Sequence, residues 1–314
     1  MNAPWHQKLG WRAEALGWDT YEGIFRSMGI DRAGDAGAAI LRRLGPMASV
    51  QNVARINMQR AFPEATKPEI DRLLTRMWDS FGRFLGENPN MAVLAPPKTR
   101  ERVEVRGEEL VLKLTRENKP YVLVSGHFSN WEVMGAVIAD LGLNCRVTYR
   151  HANNPIIDER ILSTRAAYGL KIMTAKGGAG AKELLKCLSE GTAVALMNDQ
   201  KMNDGIAAPF FGYETMTAPG PTKMAMRTGV PLIPIVTRRL EGANFRVTFY
   251  DPIEQSTAAD KTEAVRDTVT NINRWVEDRI REAPEQWFWV HRRWDKSVYR
   301  KDAGSTSSTS AGSM

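Results

Sequence analysis

A histidine and a glutamate stand five residues apart in Tyr121-Val-Leu-Val-Ser-Gly-His-Phe-Ser-Asn-Trp-Glu132, across what reads as a buried strand, a glycine turn and a helix start. An imidazole with one nitrogen held by a carboxylate presents its other nitrogen as a general base. Across a helix start, Glu132 is within reach of His127. The same spacing also suits plain local structure, because Ser129-Asn-Trp-Glu132 has the form of a capping box, Ser129 at the N-cap and Glu132 at N3. One carboxylate can serve a helix amide and an imidazole together.

Two further segments end in polar groups of the right kind. Cys145-Arg-Val-Thr-Tyr-Arg150 closes on an arginine, and Thr192-Ala-Val-Ala-Leu-Met-Asn-Asp-Gln200 closes on Asn198, Asp199 and Gln200, with Lys201 next. In open α/β sheets, ligands gather beyond the carboxyl ends of the strands. If these strands run parallel to the one before His127, then Arg150 and Asp199 emerge on the same rim and converge on one site.

The elements that must hold these residues follow from pattern. Tyr121 to Val124, entered after Lys119-Pro120, suits a short strand buried on both faces. From Val103 onward, strand-like runs alternate with helix-like ones: strands at 103–106, 121–124, 145–149, 170–173, 192–197, 231–236 and 245–250, helices at 108–117, 130–141, 155–168, 180–189, 222–227 and 262–280. That alternation predicts an α/β fold, a mostly parallel central sheet flanked by helices. The stretch between about 198 and 221 reads as a loop, and Pro284-Glu-Gln-Trp-Phe-Trp-Val-His-Arg-Arg-Trp294 as a strand or extended segment.

Ahead of the sheet lies an N-terminal helical region, clearest at 66–88, where Thr66-Lys-Pro-Glu69 is a capping box with proline in the first turn. Ile70, Leu74, Met77, Trp78, Phe81 and Phe84 follow one face of it, a face for core packing. Asn88-Pro89 and Pro96-Pro97 end it. The expected organisation is a helical region over 1–99, an α/β domain over 100–302, and a disordered low-complexity tail over 303–314.

Other chemistries find little support. Lys176-Gly-Gly-Ala-Gly-Ala-Lys182 resembles an anion-cradling loop at a helix start but lacks the phosphate-loop spacing, and no Gly-x-Gly-x-x-Gly follows the first strand. Four scattered histidines and two separated cysteines supply no metal cluster, so neither metal nor cofactor is expected. Cys145 and Cys187 read as buried free thiols of a reducing compartment. With 43% apolar residues in 314, the chain can bury a large core, yet no run approaches a spanning helix. A net charge of +7 and a pI near 9.4 favour an acidic partner. Dispersed basic residues and the lack of a reading helix argue against nucleic acid.

Taken together, His127-Phe-Ser-Asn-Trp-Glu132 after its apolar strand resembles the His-x-x-x-x-Asp/Glu motif of glycerolipid acyltransferases. With Tyr149-Arg150, Asp199-Gln200, Pro209-Phe-Phe-Gly212 and the closing Glu285-to-Trp294 segment, the chain is similar to the lipid A biosynthesis (lauroyl/myristoyl) acyltransferase family over roughly residues 50–294. The resemblance implies transfer of a fatty acyl chain from acyl carrier protein to a hydroxyl of a lipid A precursor, at the cytoplasmic face of the inner membrane. In that scheme His127 is the base, Glu132 orients it, Arg150 stabilises an oxyanion or phosphate and Asp199 positions. Asn130, Gln200, Lys201, His291, Arg292 and Arg293 are the candidate substrate contacts. Many members begin with an apolar anchoring helix, whereas residues 1–49 here are interrupted by charges and glycines, so peripheral attachment to the membrane surface is expected. Another glycolipid or a lysophospholipid as acceptor, or a non-catalytic lipid-binding protein, are the alternative readings.

Overall fold

The computed structural model describes residues 4–173 and 177–300, the side chains of 177–179 excepted. The tail at 303–314 and part of the glycine-rich stretch at 176–182 therefore lie outside the described residues.

Four helices come first: α1 (Trp5–Met28), α2 (Ile30–Leu44), α3 (Val50–Ala61) and α4 (Lys67–Glu87). The capping box expected at Thr66 forms, the Thr66 amide donating to Glu69 Oε2 at 2.7 Å, an arrangement that contributes about 1 kcal/mol. Ile70, Leu74, Met77, Trp78 and Phe84 are buried along α4, which thus packs as a core helix.

The α/β part runs α5 (Thr99–Arg102), β1 (Val103–Arg106), α6 (Glu109–Arg116), β2 (Val122–Ser125), α7 (Glu132–Asp140), β3 (Cys145–Thr148), α8 (Pro155–Ala167), β4 (Ile172–Met173), α9 (Gly177–Ser189) and β5 (Ala193–Met197). It continues through β6 (Lys201–Phe210), β7 (Tyr213–Thr217), α10 (Gly220–Thr228), β8 (Leu232–Arg239), β9 (Phe245–Phe249) and α11 (Lys261–Glu282). Seven strands form the central sheet in the order β1-β9-β8-β2-β5-β3-β4, parallel throughout except where β8 meets β9. The fold is α/β with a mostly parallel sheet, as the alternation predicts.

Every residue of β2 is buried. Leu123 faces the core beneath α7 with Val133, Val137 and Ile233, while Val122 and Val124 face the opposite core with Leu184, Leu188 and Leu232. A strand covered by helices on both sides needs apolar residues on both faces. The first of these cores also takes in Ile30, Met91 and Leu94, so the N-terminal helices share it with the sheet.

Two stretches differ from expectation. The predicted loop after Asp199 is mostly an antiparallel hairpin, β6 and β7, joined at Phe211 and Gly212 with φ of 49° and 77°. Two successive positive φ values are the signature of a tight hairpin turn. The expected extended segment at 284–294 instead opens with a 3-10 turn at Pro284–Gln286 and then folds inward, its one strand-like pairing among the described residues being the Phe128–Trp287 bridge. Its tryptophans explain the difference: Trp287, Trp289 and Trp294 are each at most 2% exposed, and indoles of that size gain more from a three-sided core than a strand's alternation could bury.

Candidate active site

The register of the sheet builds the site. Ser125 at the end of β2 pairs with Met197 at the end of β5, and the Asn198 amide extends the ladder by donating to the Ser125 carbonyl at 2.8 Å. Two residues further along each chain, His127 therefore meets Asp199. Histidine Nδ1 lies 2.8 Å from Asp199 Oδ1, and the His127 backbone amide donates to Oδ2 at 2.7 Å. Gly126 makes the approach possible, since a Cβ there would fall 3.0 Å from Asp199 Oδ2 and 2.8 Å from the Phe128 ring.

With Nδ1–H donated to a carboxylate, Nε2 is the free basic nitrogen of the neutral ring. Burial alone would lower the histidine, but the charge and hydrogen bond of Asp199 outweigh it and hold His127 above the ordinary histidine value. Burial would likewise raise Asp199, yet the charge and hydrogen bonds of His127 keep it well below the carboxylate range. Held this way, the imidazole can act as a base with the carboxylate as its orienter.

The C-terminal segment locks the loop that carries the base. Trp287 donates its indole N–H to Asp199 Oδ2 at 2.8 Å. The Ser129 amide donates to the Gln286 carbonyl at 2.6 Å, and the Phe288 amide to the His127 carbonyl at 3.0 Å. Ser129 sits at φ 50°, a left-handed conformation that costs a non-glycine residue about 1–2 kcal/mol and persists where its surroundings over-determine it.

A cavity of about 540 Å³ opens beside His127. Gln200, Tyr149, Arg150, Glu132 and Arg165 line it together with apolar residues of β2, β5 and α7. Arg150 is exposed there, and Gln200 Nε2 lies 3.5 Å from His127 Nδ1. His127, Arg150, Asp199 and Gln200 thus converge as the parallel strands require.

Other expected residues lie elsewhere. Glu132 does not hold His127: its carboxylate is gripped by the guanidinium of Arg165, with Nε at 3.0 Å from Oε2 and Nη2 on Oε1. A two-pronged guanidinium is a better partner for a carboxylate than one imidazole nitrogen. Nor does Glu132 close a capping box, because α7 begins at Glu132 itself, behind Trp131, and the hydroxyl of Ser129 is buried without a partner. Its charge still contributes to raising His127.

Asn130 is buried and donates to Glu87 Oε2 at 3.0 Å, beside the pair that Glu87 makes with Arg239. This tie fastens the loop that carries His127 to α4. Arg293 is fully buried, bonded to Thr217 at 2.9 Å under the hairpin, its guanidinium pulled down to about 10 by burial. His291 donates Nδ1–H to the Phe288 carbonyl at 2.7 Å, and burial pushes it down to about 4. Both are packing residues of the tryptophan core. Lys201 pairs with Asp295 at 3.4 Å, and Arg292 is exposed. Sequence reasoning missed Arg165, which carries no local signal, and the indole N–H of Trp287, whose partner lies 88 residues away.

The profile of the bacterial lipid A biosynthesis acyltransferase family matches residues 23–296. The chain is 28% identical over 251 residues to a lipid A biosynthesis lauroyltransferase of Escherichia coli (strain K12), covering 76% of each chain. It is 26% identical over 265 residues to that organism's lipid A biosynthesis palmitoleoyltransferase, covering 80% of this chain and 82% of that one. A phosphatidylinositol mannoside acyltransferase of Mycolicibacterium smegmatis (strain ATCC 700084 / mc(2)155) is 24% identical over 290 residues, 89% of this chain and 90% of the other. With its match spanning most of the sequence, this chain belongs to the bacterial lipid A biosynthesis acyltransferase family.

Proposed function

We propose that this acyltransferase moves a fatty acyl chain from acyl carrier protein to a hydroxyl of a lipid A precursor, with His127 as general base oriented by Asp199. The observation that carries the reading is the His127–Asp199 pair at the mouth of a largely apolar cavity. Nε2 of His127 takes the acceptor's hydroxyl proton as the oxygen attacks the thioester carbonyl carbon. The tetrahedral intermediate collapses with cleavage of the C–S bond, and the imidazolium returns its proton to the leaving thiolate. Asp199 stabilises the imidazolium and fixes its tautomer. Arg150 and Gln200, at the cavity mouth, supply donors for the developing oxyanion or an acceptor phosphate. Neither cysteine is needed.

The acyl donor and membrane surface fit the remaining features. A net charge of +7 suits an acidic carrier protein and anionic lipid. No helix among the described residues is long and apolar enough to cross a membrane, but Trp5, Leu9, Leu16 and Ile24 are exposed along one side of α1, near exposed Lys8 and Arg12. That composition suits a helix lying in the interface of the inner membrane's cytoplasmic face.

A second reading keeps the chemistry and changes the acceptor to another glycolipid, favoured by the coverage of the phosphatidylinositol mannoside acyltransferase relative. One experiment addresses donor, acceptor and surface: labelled acyl carrier protein is mixed with purified protein and candidate acceptors in anionic vesicles. Wild-type protein floats with the vesicles and labels the lipid A precursor, while His127→Ala floats but loses about 10²–10⁴ in rate. Full activity of His127→Ala would sink the mechanism, and labelling of a different acceptor alone would move the function to the second reading.

A further inference from the structure

The cavity beside His127 is a slot between α7 and the sheet, and its two walls give its depth. Ser125 lines it at the mouth, and Leu123, two residues back along β2, lines it about 7 Å deeper at the rise of a strand. On the other wall Glu132 stands at the mouth, with Gly135 and Ile138 about 4.5 and 9 Å further in along α7. Beyond the rim charges of Arg150 and Arg165, the inner lining is Leu123, Met134, Ile138, Val147, Leu170 and Ala195.

Resting on the reading that this slot receives the acyl chain, we propose that Gly135 and Leu170 together set the length of chain the enzyme accepts. Gly135 interrupts the bulky inner wall of α7 partway down the slot. A Cβ built there falls 2.9 Å from Leu170 Cδ2, with Cδ1 and Cγ of the same side chain next at 3.6 and 3.8 Å. Leu170, between α8 and β4, is 7% exposed and packed into the core beneath α7. Leu170 belongs to that packed core and also lines the slot, so the open volume that a displaced leucine can enter is the slot itself. A methyl group at position 135 drives the leucine across the path of the chain. Removing the leucine deepens the path.

The test uses the full-length protein and a series of acyl donors graded by chain length, with kcat/KM read for each. Gly135→Ala moves the optimum to shorter chains and Leu170→Ala to longer ones. The combined variant returns toward the wild-type optimum, because the leucine that the new methyl displaces is gone. Each methylene excluded from the slot is worth about fourfold in kcat/KM. An optimum unchanged in the active variants, whatever their overall rate, overturns the proposal. Should Gly135→Ala fail to fold, Leu170→Ala carries the same test in the opposite direction. A wild-type protein that transfers no acyl chain of any length instead overturns the acyltransferase mechanism on which the proposal rests.

Discussion

Two histidine–aspartate pairs stand on this sheet edge. His127 and Asp199 meet at 2.8 Å, and His151 and Asp158 at 2.6 Å. By distance alone the second is the tighter pair, but its setting is different. Asp158 lies in the first turn of α8 and gathers the Tyr149 hydroxyl at 3.0 Å and the Ala152 amide at 2.7 Å, all within nine residues of chain. It shapes a turn. Asp199, by contrast, is fully buried, receives three donors from two distant segments and faces a base that lines the cavity. A histidine–carboxylate contact is therefore not itself a catalytic signal; burial of the acid and access of the far imidazole nitrogen to a cavity make it one.

That contrast can be broken from its strong side first. Asp199→Asn should lower kcat by about 10⁴, the loss seen when a buried orienting aspartate is replaced by asparagine in a serine protease triad. It should also move the acid limb of the pH–rate profile. The base works only when deprotonated, and Asp199 holds His127 above the ordinary histidine value. In the variant, the charge of Glu132 still opposes burial but that of Asp199 is gone, so the histidine drops and the limb moves to lower pH. A limb that stays in place would remove Asp199 from the mechanism.

Trp287→Phe keeps the ring but removes the N–H that fixes Asp199 Oδ2. The plateau of kcat should fall about 10- to 100-fold, the worth of about 1.5–3 kcal/mol of hydrogen bonding to a charged group. The acid limb should stay nearer its wild-type place than in Asp199→Asn, because the carboxylate that raises His127 keeps its charge. An unchanged plateau would mean that the indole only packs. The smallest effect belongs to the second pair: His151→Ala should leave transfer within about twofold, because a half-exposed imidazole outside the cavity lining contributes little. A loss comparable to that of Asp199→Asn would erase the distinction between the two pairs.

The sequence carried the strands and the rim, because short apolar runs between turn residues define a parallel sheet and its carboxyl edge. His127, Arg150 and Asp199 were legible as strand-end residues for that reason. Their pairing was not, since it depends on β2 and β5 being neighbours in one register, a relation between residues 72 apart. Glu132 misled because its spacing satisfied a local rule that the left-handed turn at Ser129 breaks. Arg293 misled in another way: a charge in a Trp-rich segment suggests an anionic ligand, whereas its donors satisfy Thr215, Thr217 and Asn273 under the hairpin. The hairpin itself had a signal in Phe210-Phe-Gly-Tyr213, two central residues of which the second is glycine, hidden by the polar start of β6.

The stitching of residues 286–288 onto the loop at 127–129 has a consequence for how activity arises during synthesis. Every strand of the central sheet precedes Trp287 in the chain, so a ribosome-bound intermediate can hold the sheet and the slot while the base still lacks its lock. Domains generally form from the amino end as synthesis proceeds. The anchoring of His127 is thereby deferred to the segment at 286–288, and a product truncated ahead of it would keep the cavity beside an unanchored histidine.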